Sequence, residues 1–274
     1  MPTKFKPLFL FVIASNSLLL TGSLVNGIFD WPQILVMQWC GLCGVFIIYR
    51  FNDLIDQTHD LRFNFRSLLH NKLHLFFLLQ FFLITIPAVF YFLSPFRILI
   101  LSAICILGVL YSINFRSGEK SYRIKNFFGV KNFLIGILKG SLILAGAGGF
   151  TNRLTMALFV FACLQVLIGS SIRDIPDIER DKKERVNSFP VVFGMEKTLW
   201  LLHFLNLASL IVGYLMIQDN AFLLLMGLTV AWRFISLVKI RTHANSRLWT
   251  QTFNLLTTVL IFIVSLAEFL YARY

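Results

Sequence analysis

Acidic side chains are scarce in this sequence. Of 274 residues only thirteen are Asp or Glu, against twenty-five Lys or Arg, and charged residues of both signs make up 14%. Cysteine is scarce as well: Cys40, Cys43, Cys105 and Cys163 are the only four, and each lies inside an apolar run. That excludes a disulfide-built scaffold. The WCGLC around Cys40 and Cys43 has no second Cys or His pair to complete a metal site, so these thiols read as small hydrophobes. A long polar linker, a low-complexity tract and a sustained heptad repeat are also missing, which removes a string of soluble domains and a coiled coil.

Apolar residues are plentiful. They make up 57% of the chain, thirty of them Phe, and the mean hydropathy is +0.76. A soluble domain is about half apolar or less, so residues 1–274 read as a single polytopic membrane domain. A span needs about 20 mostly apolar residues. Nine segments qualify: roughly 8–29, 31–50, 74–93, 95–113, 127–149, 154–172, 199–217, 221–238 and 250–272. The first is too long for a signal-peptide core and lacks a small-residue cleavage site, so it reads as a retained span. The expected fold class is an all-α membrane protein of nine transmembrane helices.

Connections between these segments alternate. Those near Asp30, Ser94, Thr151 and Asp219 are short, and those at 51–73, 114–126, 173–198 and 239–249 are longer and charged. Twenty of the twenty-five basic residues fall in the N-terminus or in the long connections and their flanks; Arg97, Arg153 and Arg273 fall on the other side. The positive-inside rule then places the N-terminus and every long connection in the cytoplasm and the C-terminus outside. The net charge of +12 is thus largely topological, and no nucleic-acid partner is expected.

Seven of the thirteen acids lie in two stretches: NDLIDQTHD, Asn52 to Asp60, and DIPDIERD, Asp174 to Asp181. Asn52, Asp56 and Asp60 are four residues apart and share one face of a helix. Asp177 and Asp181 repeat that spacing, with Asp174 three residues earlier. Both stretches open long connections, so they share one membrane face. Solvated acidic loops explain one such cluster more readily than two. Carboxylates this close repel one another and are costly beside a bilayer, so a cation must stabilise them. Mg²⁺ prefers oxygen ligands and commonly bridges carboxylates to substrate phosphates. A two-sided Mg²⁺–diphosphate site is the expectation.

The two stretches resemble the NDxxDxxxD and DxxDxxxD signatures of the UbiA superfamily of intramembrane prenyltransferases. The likeness continues through RDIPDIERDKKERVNSFPVVFG, Arg173 to Gly194, whose phrasing is nearest the branch that prenylates homogentisate and related quinone precursors. With the span count it covers essentially the whole chain. The resemblance implies a UbiA-like fold, nine transmembrane helices around a central apolar cavity, and a Mg²⁺-dependent prenyltransferase. Such an enzyme ionises an isoprenyl diphosphate and delivers the allylic cation to a lipophilic, aromatic or quinone-precursor acceptor, within the membrane lipid. It implies that Asn52, Asp56 and Asp60 serve one side of the metal site and Asp177 and Asp181 the other. Asp53 and Asp174 would act as ligands, outer partners or proton acceptors. In YSINFRSGEKSYRIKN, Tyr111 to Asn126, Tyr111 stands where a family Tyr precedes diphosphate-binding basic residues. Phe115 replaces the usual Lys, leaving Arg116, Arg123 or Lys125 for that charge, with Arg116 and Lys125 favoured. Arg173, just before the second motif, is a further diphosphate candidate; Lys182 and Lys183 read equally as topological charge.

This chain departs from the pattern in two further places. LRFNFRSLLHNKL after the first motif lacks the family's proline and glycine, and Arg180 replaces a glycine in the second. Lys139 lies deep in the fifth segment, where a charge requires a polar cavity or partner; contact with acceptor or diphosphate is one reading of it. The glycines around it, Gly136, Gly140, Gly146, Gly148 and Gly149, read as close-packing positions. Asn16 and Gln165 are either pocket-lining residues or interhelical hydrogen-bond partners. Two other functions stay open: a terpene cyclase of the same fold, and a cation-coupled transporter. The transporter would place its acids at mid-membrane.

Overall fold

A computed structural model describes residues 5–27, 30–57, 85–117, 120–183, 186–217, 220–242 and 263. At 5–11, 49–57, 112, 114–117, 120–123, 125, 241 and 242 that description covers the backbone alone. Eight helices run through these residues: α1 (Phe5–Val25), α2 (Trp31–Gln57), α3 (Pro95–Ser112), α4 (Val130–Ala147), α5 (Arg153–Asp174), α6 (Ile178–Lys183), α7 (Phe189–Met216) and α8 (Asn220–Thr242). Helical residues 85–92 precede α3. Five stretches are long and apolar enough to cross a membrane: Trp31–Ile48, Val130–Ala147, Arg153–Lys183, Phe189–Met216 and Asn220–Ile240; Val12–Val25 and Pro95–Tyr111 are shorter apolar helices. The expected ninth span, 250–272, lies outside the described residues except for 263, and the third, 74–93, is described only from 85.

Helix ends follow local chemistry. Pro95 and Pro190 sit in the first turns of α3 and α7, where the missing amide has no intrahelical partner to lose. The Asn152 side chain caps α5 by accepting from the Thr155 amide at 2.7 Å. At the end of α4, Gly148 has φ 81°, a left-handed cap that glycine adopts without a Cβ clash. Arg97, only 4% exposed, closes that same helix end. Its guanidinium donates to the carbonyls of Ala145 (3.2 Å) and Gly146 (3.3 Å), where a cation meets the negative pole of the helix.

α4 is the central helix: it packs on α1, α3 and α5, while α5 packs on α7, and α7 on α8. Lipid offers apolar side chains no drive to associate, so close backbone approach and interhelical hydrogen bonds must hold such a bundle. Glycine supplies the approach, as the sequence pattern implied. A Cβ on Gly22 or Gly146 would strike the carbonyl of Ile143 or Leu19 across the α1–α4 seam, and one on Gly136 or Gly140 would strike Cys163 across the α4–α5 seam. Leu19, Ile143, Leu158, Phe161, Phe222 and Met226 fill the space between. Facing outward, Trp200, Phe204 and Leu215 are exposed, as expected for a lipid-facing surface.

One end of the bundle is tied together by short-loop contacts. Asn26 donates to the Ala147 carbonyl (2.6 Å), Asn152 donates to Asn26 (3.1 Å), and Gln33 donates to the Phe92 carbonyl (2.8 Å). Both α2 and α5 start from this end. Their acidic C-terminal ends therefore lie toward the other end.

Candidate active site

The first motif continues a membrane helix. α2 runs through to Gln57, so Asn52, Asp53 and Asp56 lie on helical backbone, as their spacing implied. Their side chains, and Asp60 altogether, lie outside the described residues.

The second motif is not one regular α-helix. α5 ends at Asp174, a 3-10 turn covers Ile175–Asp177 with Pro176 inside it, and α6 carries Asp181. The acids divide between two sets of partners. Asp174 and Asp181 are buried, and both turn toward Lys131 in the first turn of α4, whose ammonium lies 2.6 Å from Asp174 Oδ1 and 3.6 Å from Asp181 Oδ2. Asn132 Nδ2 donates to Asp174 Oδ2 (3.0 Å) and to Ser171 Oγ (2.7 Å). The Ser188 hydroxyl donates to Asp181 Oδ2 at 2.9 Å. Asp177 instead forms an ion pair with Arg180, 2.9 Å away. Asp174 and Asp181 thus share Lys131, while Asp177 pairs with Arg180.

Asn132 Oδ1 is buried and has no hydrogen-bond partner among the described residues. Asp174 and Asp181 offer carboxylate oxygens nearby, ligands of the kind a hard divalent cation selects. Among the described residues no three acidic, His or Cys side chains gather into a metal cage.

The segment after Tyr111, expected to be a loop, is a β-hairpin. Strands β1 (Asn114–Ser117) and β2 (Lys120–Arg123) pair antiparallel, Arg116 opposite Ser121, and lead into a 3-10 turn at Ile124–Asn126 that contains Lys125. Tyr111 is half-buried in the last turn of α3. The Asn126 carbonyl accepts from the Asn187 amide (3.4 Å) and side chain (3.1 Å). The turn bearing Lys125 is thereby fastened to the chain just past the second motif. Phe128 adds edge contacts to Phe189 and Phe193, each at 5.3 Å between ring centres.

Deeper in the bundle lies a second polar cluster. Lys139 donates to the Ser15 hydroxyl of α1. Gln165 donates to Asn206 Oδ1 (3.0 Å) and Ser209 Oγ (2.8 Å), and accepts from Arg233 Nε (3.3 Å). Gln165 is therefore an interhelical tie between α5, α7 and α8. Arg173 lies in the last turn of α5.

These features describe a polytopic helical membrane protein with an oxygen-lined acidic site at one end of its bundle. Residues 10–271 match the UbiA prenyltransferase family; the chain belongs to that family. It is similar to a digeranylgeranylglyceryl phosphate synthase of Methanosphaera stadtmanae, 32% identical over 37% of this chain and 38% of that relative's length. The match thus spans well under half of that curated relative. Among solved structures, a UbiA homolog from Aeropyrum pernix K1 superposes with a TM-score of 0.69 over 92% of this chain and 96% of its own, at 16% identity. One from Archaeoglobus fulgidus bound to DMAPP and Mg²⁺ gives 0.68 over 96% of each chain, at 15%.

Sequence reasoning missed the roles of Lys131, Asn132, Ser188 and Arg233. Lys131 was hidden among topological charges. Its signal was position: a Lys-Asn pair opening a span that follows a basic loop.

Proposed function

We propose that this chain is a Mg²⁺-dependent prenyltransferase that takes an isoprenyl diphosphate and prenylates a lipophilic acceptor with release of diphosphate. The observation that carries the reading is the convergence of Asp174 and Asp181 on Lys131 beside the unsatisfied Asn132 oxygen, at the same end as the acidic end of α2. Family membership and the Mg²⁺-bound homolog support it. Asn52, Asp56 and Asp60 would hold Mg²⁺ from one side, and Asp174, Asp177 and Asp181 from the other. The metal's contribution, when bound, is to neutralise charge developing on the departing diphosphate.

The protein's own residues do the rest. Arg116, Lys125 and Arg173 would bind diphosphate oxygens, and Lys131 stands ready with a further charge once the carboxylates are occupied by metal. Fixed cations in a site shielded from water stabilise a leaving anion without having to reorganise. Tyr111 offers a ring face for the cation formed at the other end of the broken bond. The isoprenyl chain would lie in an apolar cavity among nine spans, with the site on the cytoplasmic face.

The acceptor is a separate question. Phrasing of the second motif pointed to an aromatic or quinone-precursor ring. The digeranylgeranylglyceryl phosphate synthase among its relatives supports a phosphate-bearing prenylglycerol lipid instead, and we favour that acceptor. The test is to incubate purified protein with isoprenyl diphosphates of several lengths and Mg²⁺, with a prenylglyceryl phosphate, with an aromatic acceptor, or with none. Products and released diphosphate are identified by mass. Transfer to the phosphate lipid is expected, and Asp56→Ala and Asp177→Ala should each abolish diphosphate release while the protein still inserts. A product from the no-acceptor arm would establish the cyclase instead. Full turnover by either variant would sink the metal–diphosphate site.

A further inference from the structure

A serine at a helix N-terminus ordinarily caps it, its hydroxyl accepting from an amide of the first turn. Ser188 stands at that position before α7, with extended backbone at φ −73° and ψ 160°, yet its side chain makes no capping bond. The hydroxyl donates instead to Asp181 Oδ2 at 2.9 Å, and the two residues are 1% and 2% exposed. Backbone contacts hold Ser188 in place. Its carbonyl accepts the Val191 and Val192 amides of α7 (3.1 Å each), and its neighbour Asn187 is fastened through its side chain to the Asn126 carbonyl (3.1 Å). The Val186 amide donates to the Asp181 carbonyl at 2.8 Å, which brings the chain back beside Asp181. Asn132 stands in the same relation to Asp174. Its Nδ2 donates to Asp174 Oδ2 (3.0 Å) and to Ser171 Oγ (2.7 Å), an oxygen left to accept because the Ser171 hydroxyl donates to the Leu167 carbonyl (2.9 Å). That fixes which way the amide points. Each of the two carboxylates that share Lys131 thus receives a hydrogen bond from a neutral donor.

We propose that Ser188 is a positioning residue for the metal: its hydroxyl holds the Asp181 carboxylate in the orientation that receives Mg²⁺, as Asn132 holds that of Asp174; this rests on the prenyl-transfer reading above. Charge separates the two kinds of partner. Lys131 satisfies the carboxylates by neutralising them, so it competes with a cation and must give way to one. A hydroxyl or an amide orients a carboxylate and leaves its negative charge for the metal. An ionised carboxylate has about four lone-pair sites, so the Ser188 bond leaves room for a cation as well. Hydrogen bonds to ligating carboxylates carry much of a metal site's affinity. Without the hydroxyl the carboxylate is freer to rotate, and binding a metal must restrain it at the expense of affinity. If the hydroxyl served only to satisfy a buried charge, the sign would be opposite. Its loss would then leave the metal-free carboxylate poorly satisfied, and a cation would bind as tightly as before or more so.

Mn²⁺ takes the same oxygen ligands as Mg²⁺, and its free ion is counted by electron paramagnetic resonance. The full chain in detergent, without donor or acceptor, is titrated with Mn²⁺, and excess Mg²⁺ should displace what binds. Ser188→Ala should weaken binding about tenfold or more. Ser188→Thr and Ser188→Val form a pair of equal shape: Thr keeps the hydroxyl and should bind as wild type does, and Val should be as weak as Ala. Ser236→Ala removes a buried hydroxyl bonded to the Trp232 carbonyl of its own helix and should leave Mn²⁺ binding unchanged. Affinity that is unchanged or raised in Ser188→Ala, or equal in the Thr and Val variants, would overturn the positioning role while the metal site stands. Absence of saturable Mn²⁺ binding by wild type would instead remove the metal reading on which that role depends. Turnover plays no part in the measurement, so the two failures are told apart.

Discussion

Lys131 shows what a single residue decides in this protein. Its ammonium lies between two buried carboxylates, 2.6 Å from Asp174 and 3.6 Å from Asp181. It supplies there the charge that a metal would otherwise have to supply. Removing one partner of a buried ionic cluster leaves uncompensated charge, typically at a cost of roughly 3–5 kcal/mol. Lys131→Met should therefore lower the melting temperature in the absence of divalent cations, and Mg²⁺ should restore part of the loss. Wild type should gain less from the same Mg²⁺. Thermal denaturation of both proteins with and without Mg²⁺ checks this, and equal Mg²⁺ shifts would remove Lys131 from the site. The acids around it were legible because acid is rare in this chain and its spacing conspicuous. Lys131 was not, because one lysine among many basic residues carries no local pattern, and only the packing of α4 against α5 brings it to Asp174.

Elements were legible to the extent that hydropathy governs them. Spans 31–50, 95–113, 127–149, 154–172 and 221–238 each correspond to a helix, with ends displaced by a few residues. The larger departures have local causes. α2 carries on past residue 50 because nothing in FNDLIDQ breaks a helix. α7 begins at Phe189 rather than near 199, since Pro190 suits a first turn and Gly194, at φ 76°, lets the chain kink and resume. The hairpin at Asn114–Arg123 arises in a polar stretch too short to show a strand period. Glycines within the helices divide by what surrounds them, and two of them make a paired prediction. Gly146→Val places a branched side chain against the Leu19 carbonyl of α1, and overpacking of this kind costs about 1–3 kcal/mol. Gly227→Ala in α8 meets nothing within 4 Å and should stabilise by up to about 1 kcal/mol through helix propensity. Denaturation of the two variants in one detergent tests both; a neutral Gly146→Val would show that the α1–α4 seam is loose.

For the whole molecule, the distribution of charge and the location of the site are connected. The contacts among Asn26, Ala147 and Asn152, and between Gln33 and Phe92, gather the short loops at one end, while Asp174, Asp181, Lys182 and Lys183 lie at the other with the hairpin. That division matches the alternation of short and long connections in the sequence, so the arrangement of ends was legible before any helix was placed. The relative depth of the polar clusters was not, because it depends on glycine-mediated register between α4 and α5. If basic residues set the orientation, the acidic end faces the cytoplasm, where the proposed reaction would release its diphosphate and draw Mg²⁺ from solution. This orientation can be read directly. In a background with all four native cysteines replaced, Thr151→Cys should react with a membrane-impermeant maleimide added to intact cells. Lys183→Cys, exposed at the opposite end, should react only after the membrane is permeabilised. The reverse pattern would turn the protein over, place the acidic site outside, and require its diphosphate substrate to be supplied from that face.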